Sequence, residues 1–353
     1  MKKTFKQMAA LVLSVVMLLT LVACGNQPAA DPSNEGAQPQ ETYDIKFALD
    51  EIQNSTQDIY ALKFKELVEE KSDGRINLQI FYLGQLGSGA SQAELIQNGT
   101  VELGFISCGD VGTMVPEGNI FNMPYVFPTD LTKAKEFLRE GKVINETIKA
   151  AFEEKNLHVI DWLDEGFMAW TTSTHPITSP ADMKGLKMRT MASPILTSTY
   201  KAYGADPVTI PITELYSALQ LNMAEGQVNA PDYIENMKFY EVQKYMSVGY
   251  ADFYVASLQF NGDYWKSLPE DIQNIFLEAA KETQPYYDAQ QKILLDNAYE
   301  HLADFGMEIN TLDEAAIADF RALAKNAVGA FYEVGGSNAE QLYADFTAES
   351  ESF

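Results

Sequence analysis

Between Tyr43 and Ser107 the hydrophobic period switches repeatedly between two residues and 3.6, and few folds accommodate that rhythm. In YDIKFALD, Ile45, Phe47 and Leu49 alternate as in a strand. NSTQ then offers cap residues for a helix carrying Tyr60, Phe64, Leu67 and Val68 on one face, and Ser72-Asp73-Gly74 stops it. A second strand with Ile76, Leu78 and Ile80 ends at Gly84, a helix runs from Ser91 to Asn98, and VELGFIS closes the series as a third strand. Strand–helix–strand–helix–strand order predicts a parallel, doubly wound α/β sheet. In such sheets ligands lie beyond the carboxyl ends of strands, here near Asp50, Gly84–Ser88 and Ser107–Asp110.

The alternation recurs. LHVIDWL, GLKMRTM, the helix ELYSALQLN and the short strand GQVNA predict a second α/β unit, and FYVASLQFN then returns to a strand pattern. Beyond Leu268-Pro269-Glu270 a helix is expected from Asp271 toward Phe305, with Pro285 as its one strong breaker. With 353 residues, two domains are expected. The predicted division is a first lobe over 42–162, a second over 163–252, and a return with long C-terminal helices over 253–353. A chain that crosses twice between lobes has a hinge and a cleft.

Residues 1–23 predict a lipoprotein signal peptide: Lys2, Lys3 and Lys6 precede a 16-residue apolar run from Met8 to Ala23, shorter than the roughly 20 residues that span a bilayer. LVAC places a small residue before Cys24, which matches a lipobox, so Cys24 is the expected lipidation site and mature N-terminus. Two acyl chains give stable anchoring, and the expected location is extracytoplasmic, on the periplasmic side or cell surface. Residues 24–41, with three prolines and no large aliphatic or aromatic side chain, predict a flexible tether. Cys108, the only other cysteine, is expected to be a small buried hydrophobe.

A formal net charge of −25 disfavours nucleic acid and anionic headgroups as partners, so the membrane is met only through the lipid. It also demands a local device to capture an anionic ligand. Three scattered histidines supply neither a zinc site nor a His-based triad. YLGQLGSGAS lacks the order of a phosphate-binding glycine loop. No cofactor or catalysis is expected and no metal-ligating set stands out, while the acids near the cleft leave open whether a metal or sodium ion assists binding. Carboxylates are numerous, but none stands out as a glycosidase pair.

Seven collinear stretches point to a specific family: KFKELVEEKSDGRINLQIFYLGQLG (63–87), FNMPYVF (121–127), ADMKGLKMR (181–189), ELYSALQ (214–220), GQVN (226–229), KFYEVQKY (238–245) and WKSLPEDIQNIFLEAA (265–280). Together they resemble the DctP-type solute-binding proteins of TRAP (tripartite ATP-independent periplasmic) transporters. The resemblance implies a two-lobed, periplasmic-binding-protein-like α/β fold with hinge strands and a long C-terminal helix crossing both lobes. It implies venus-flytrap closure on a small organic acid, which is then handed to a membrane permease. An ABC-transporter receptor and a lipid-anchored hydrolase working in the same cleft are the alternative functions.

The resemblance also implies site residues. The arginine of the family's GLKxR stretch forks a ligand carboxylate and corresponds to Arg189, which in isolation reads as an ordinary surface arginine. A planar guanidinium makes two parallel charge-assisted bonds to a carboxylate, which lysine cannot. The asparagine of GQxN corresponds to Asn229, otherwise a turn residue before Ala230-Pro231. Tyr233 and Trp170 are aromatic candidates for either the cleft or the core.

Departures from the family pattern carry information. Many members have GFRQ or GTRQ where this chain has Gly166-Phe167-Met168-Ala169, so Met168 replaces a second pocket arginine with apolar, adaptable surface. Asp50, followed by Glu51, stands where some members have asparagine, and Ser107 and Asp110 replace an acidic and a basic position. One positive charge is gone and up to two negative ones are added. The expected ligand therefore carries one carboxylate: a zwitterion with an amine or amidine toward Asp50, or next a hydroxy- or keto-monocarboxylate, ahead of dicarboxylates or sialic acid.

Overall fold

The computed structural model describes residues 41–353. The expected signal peptide, Cys24 and most of the tether lie outside the described residues.

Two sheets organise the chain. The first has strand order β2-β1-β3-β10-β4, built from β1 (Tyr43–Ala48), β2 (Ile76–Phe81), β3 (Leu103–Ser107), β4 (Leu157–Phe167) and β10 (Phe253–Asn261). β1 pairs in parallel with β2 and β3, as the alternating periods predict, but β10 runs antiparallel to both β3 and β4, making the sheet mixed. Alternate residues enter opposite cores. Phe47 and Phe105 pack with Tyr60, Phe64 and Phe276, whereas Ala48 and Ile106 join a cluster containing Phe121, Phe137 and Phe346.

The second sheet has order β11-β9-β5-β8-β6-β7: β5 (Ala169–Thr172), β6 (Lys187–Thr190), β7 (Asp206–Thr209), β8 (Gly226–Asn229), β9 (Tyr245–Val248) and β11 (Glu308–Thr311). LHVIDWL therefore belongs to the first sheet rather than the second unit. The C-terminal return also contributes β11 to the second sheet. Both differences are decided by long-range pairing, which local periodicity does not encode.

The crossings lie side by side. β4 ends at Phe167 and β5 begins at Ala169, and the Met168 amide donates to the carbonyl of Asp252, just before β10, at 2.9 Å. Gly166 holds φ +77°, a left-handed conformation natural to glycine, where the chain leaves β4. The predicted long helix runs over Glu270–Asp304 and absorbs Pro285. It packs on the Thr56–Lys71 helix of the first lobe and the Pro231–Asn236 helix of the second, so it spans both.

Candidate functional site

The carboxyl ends of strands from both sheets converge on one cavity of about 250 Å³, sized for a small molecule. Asp50 follows β1, Ser107 ends β3, Asp110 lies in the short Cys108–Val111 helix, and Glu165 stands near the end of β4. Arg189 on β6, Asn229 at the end of β8 and Tyr233 in the next helix face them from the second lobe. Met191, just past β6, sits against Gly109, where a Cβ would collide with its sulfur, so the two lobes touch beside the cavity.

Arg189 is 3% exposed, and its Nε donates to the Ile210 carbonyl at 2.8 Å, which sets the plane of the guanidinium. No carboxylate oxygen lies within 4 Å of it among the described residues. Burial lowers its pKa to about 10, against the pull of Tyr233, Asp110 and Tyr200, so it remains charged at neutral pH. A buried, fixed and unpaired cation is suited to a ligand carboxylate. The Asn229 amide donates to Gln227 Oε1, and Gln227 donates to the Thr171 hydroxyl at 2.7 Å, a chain that orients the asparagine.

The other wall is acidic. Asp50 accepts from the Gln57 side-chain amide and from the Ser107 backbone amide at 2.8 Å. Burial nevertheless pushes its pKa up to about 7, with Asp110 adding repulsion. Burial likewise raises Asp110, while Arg189 pulls it down. Glu51 and Glu165 are 4% and 3% exposed and lie within hydrogen-bonding reach of each other. Burial lifts Glu51 to about 7, and burial together with the charge of Glu51 drives Glu165 well above the carboxylate range. Glu51 Oε2 and Glu165 Oε1 have no hydrogen-bond donor among the described residues.

Six of the eight residues expected from sequence thus line one cavity: Asp50, Ser107, Asp110, Arg189, Asn229 and Tyr233. Met168 and Trp170 do not. Trp170 is buried against Tyr203 and Phe320, with ring centroids at 6.1 and 4.8 Å, and Met168 packs on the same cluster. Two residues apart at the entry to β5, both side chains turn to the core rather than toward the cavity. Sequence reasoning missed Glu165 and Tyr254 and gave Glu51 no role, although all three line the cavity. The available signal was the run Asp161, Asp164, Glu165 inside an otherwise apolar strand.

The family model for bacterial extracellular solute-binding protein, family 7 (DctP), matches residues 48–334. The chain belongs to this family. It is similar to the ectoine-binding periplasmic protein TeaA of Halomonas elongata, 31% identical over 86% of this chain and 89% of that one. It is also similar to the ectoine/5-hydroxyectoine-binding protein UehA of Ruegeria pomeroyi, 30% identical over 86% and 90%. The solved TeaA structure, from a TRAP transporter, superposes with a TM-score of 0.84 at 30% identity, covering 88% of this chain and all of that one. A Desulfovibrio salexigens TRAP solute-binding protein with bound orotic acid gives 0.84 at 29% identity, covering 88% and 99%. This DctP-family chain is therefore a two-lobed solute-binding protein of the TRAP type, a class that works with membrane permease subunits. Among the described residues no helix is long and apolar enough to cross a membrane.

Proposed function

We propose that this protein is the extracytoplasmic, Cys24-anchored receptor of a TRAP transporter, and that it captures a compact zwitterion rather than a dicarboxylate. One observation carries the reading: a single buried guanidinium, Arg189, shares the cavity with Asp50, Glu51, Asp110 and Glu165. The ligand carboxylate is forked by Arg189 beside Asn229, and a nitrogen cation bearing N–H groups faces Asp50 and Glu51. A second carboxylate on the ligand would meet this acidic wall rather than a second cation. Quaternary ammonium ligands need aromatic cages, and here the aromatic lining is Tyr233 and Tyr254. The ectoine-binding names of TeaA and UehA support the same solute class and make ectoine the first compound to try.

The test is a thermal-shift screen of ectoine, amino acids, hydroxy- and keto-monocarboxylates, succinate and malate. Ligand in excess of Kd raises the melting temperature. A zwitterion is expected to give the largest shift, and Arg189→Ala to abolish it. Tighter binding of succinate or malate than of every monoacid would overturn the reading, and an undiminished shift in Arg189→Ala would remove the arginine from the site. For the anchor, Cys24→Ala is expected to move the protein from the membrane fraction to the soluble one.

A further inference from the structure

We propose that Glu51 and Glu165 share one proton in the ligand-free cavity and release it to solvent when the solute's cationic nitrogen takes its place, so that capture is a proton-for-cation exchange. The proposal rests on the zwitterion reading above.

The geometry carries it. Glu51 comes from the loop after β1 and Glu165 from the end of β4, and the two carboxyl groups face each other inside the cavity without a donor between them. Two ionised carboxylates buried face to face repel, and keeping one proton between them relieves that repulsion. Further buried acids deepen the need. Asp50 reaches the pair from the same loop as Glu51, and Asp232, 3% exposed with Oδ1 unpartnered, reaches it from the helix behind. The remaining titratable groups in range are the Tyr233, Tyr254 and Tyr287 hydroxyls, which burial keeps neutral. The cation that lines this cavity is Arg189, held by the Ile210 carbonyl and directed in the proposed complex to the solute carboxylate. Among the described residues no group of three or more acidic, histidine or cysteine side chains is arranged to hold a metal ion.

The exchange balances. Before capture the pair carries one proton and one negative charge. Afterwards it carries two negative charges facing one ligand cation, whose N–H groups supply the missing donors, and one proton has gone to solvent. Affinity then rises by about tenfold per pH unit on the acid side of the pair's titration and levels off above it.

Titration calorimetry of the purified protein with ectoine, in phosphate and in Tris at about pH 7.5, where both buffer and the pair holds one proton, reads the released proton as a buffer-dependent enthalpy. Release approaching one proton is expected, together with a protonated-carboxyl infrared band in the ligand-free protein that loses intensity when ectoine binds. Glu165→Gln, which keeps a donor for Glu51 but has no proton to exchange, is expected to lose both the release and the pH slope. Added EDTA is expected to change nothing; an effect that vanishes with EDTA identifies a metal counter-ion and overturns the exchange. Ectoine binding without buffer dependence, or with a band of undiminished intensity, also overturns it while the proposed function stands. A band in a protein that binds no zwitterion refutes the solute class, and the exchange with it. The wild-type measurements need no variant, so a misfolded Glu165→Gln leaves the test decisive.

Discussion

At the scale of single residues, Arg189 and Trp170 show how differently two polar-capable side chains can be used. Both sit on strands of the second sheet and both are nearly fully buried. Arg189 alternates away from Met188, which enters the core, so its side chain goes to the cavity face. Trp170 takes the core side and packs edge-on and tilted against aromatic rings. The function of Arg189 depends on its planar fork as much as on its charge. Arg189→Lys is therefore expected to keep the fold and weaken solute binding by about tenfold or more, roughly 1.4 kcal/mol, as measured by calorimetry. Equal affinity in the lysine variant would show that a point charge suffices.

Among the elements, the Leu131–Glu140 helix is tied to the long Glu270–Asp304 helix by a compact ionic cluster. Arg139 forks Asp288 with two bonds of 2.7 Å, and Lys135 adds a third of 2.8 Å. Asp164, buried at the end of β4, lies 3.8 Å from Lys135 and 4.0 Å from Arg139, beside the hinge crossing. Burial acts to raise the pKa of Asp288, but the bonds from Arg139 and Lys135 outweigh it and hold the carboxyl below its ordinary value. An acid depressed in the folded state stabilises the fold above its unfolded pKa, and that contribution disappears as pH falls through the folded one. Asp288→Asn is thus expected to cost about 2 kcal/mol at pH 7. The variant and parent should converge below about pH 4, the range where free aspartate protonates. Denaturant melts at both pH values check this, and a gap that persists at low pH would contradict it.

For the whole molecule the sign reverses. Asp50, Glu51, Asp232 and Asp252 are each pushed up to about 7, chiefly by burial. In the unfolded chain such groups release their protons near pH 4. Between these values the folded state binds more protons, so its stability falls as pH rises through that window. The ligand-free protein is therefore expected to melt at a higher temperature at pH 5.5 than at pH 8, with a saturating zwitterion narrowing the difference. A melting temperature that does not fall between pH 5.5 and 8 would show that these acids ionise freely in the fold. The protein thus keeps a binding cavity that is costly when unliganded at neutral pH, which favours closure around a ligand that neutralises it.

Sequence alone determined what local physics can encode. The alternating periods set the α/β class, and cap and breaker residues placed the Thr56–Lys71 and Glu270–Asp304 helices within a residue or two. Collinear stretches marked the family, and the residues at strand ends marked one side of the site. Tertiary structure decided the rest, because each remaining point depends on groups distant in the chain. The antiparallel placement of β10 and the transfer of β11 to the second sheet are pairing choices between segments far apart. Glu165 becomes a cavity wall only because β4 ends beside the loop after β1, more than a hundred residues earlier in the chain. Its unusual protonation follows from that juxtaposition: a carboxyl group's pKa is set by what surrounds it in space, and no spacing along the chain records that two acids will meet out of water.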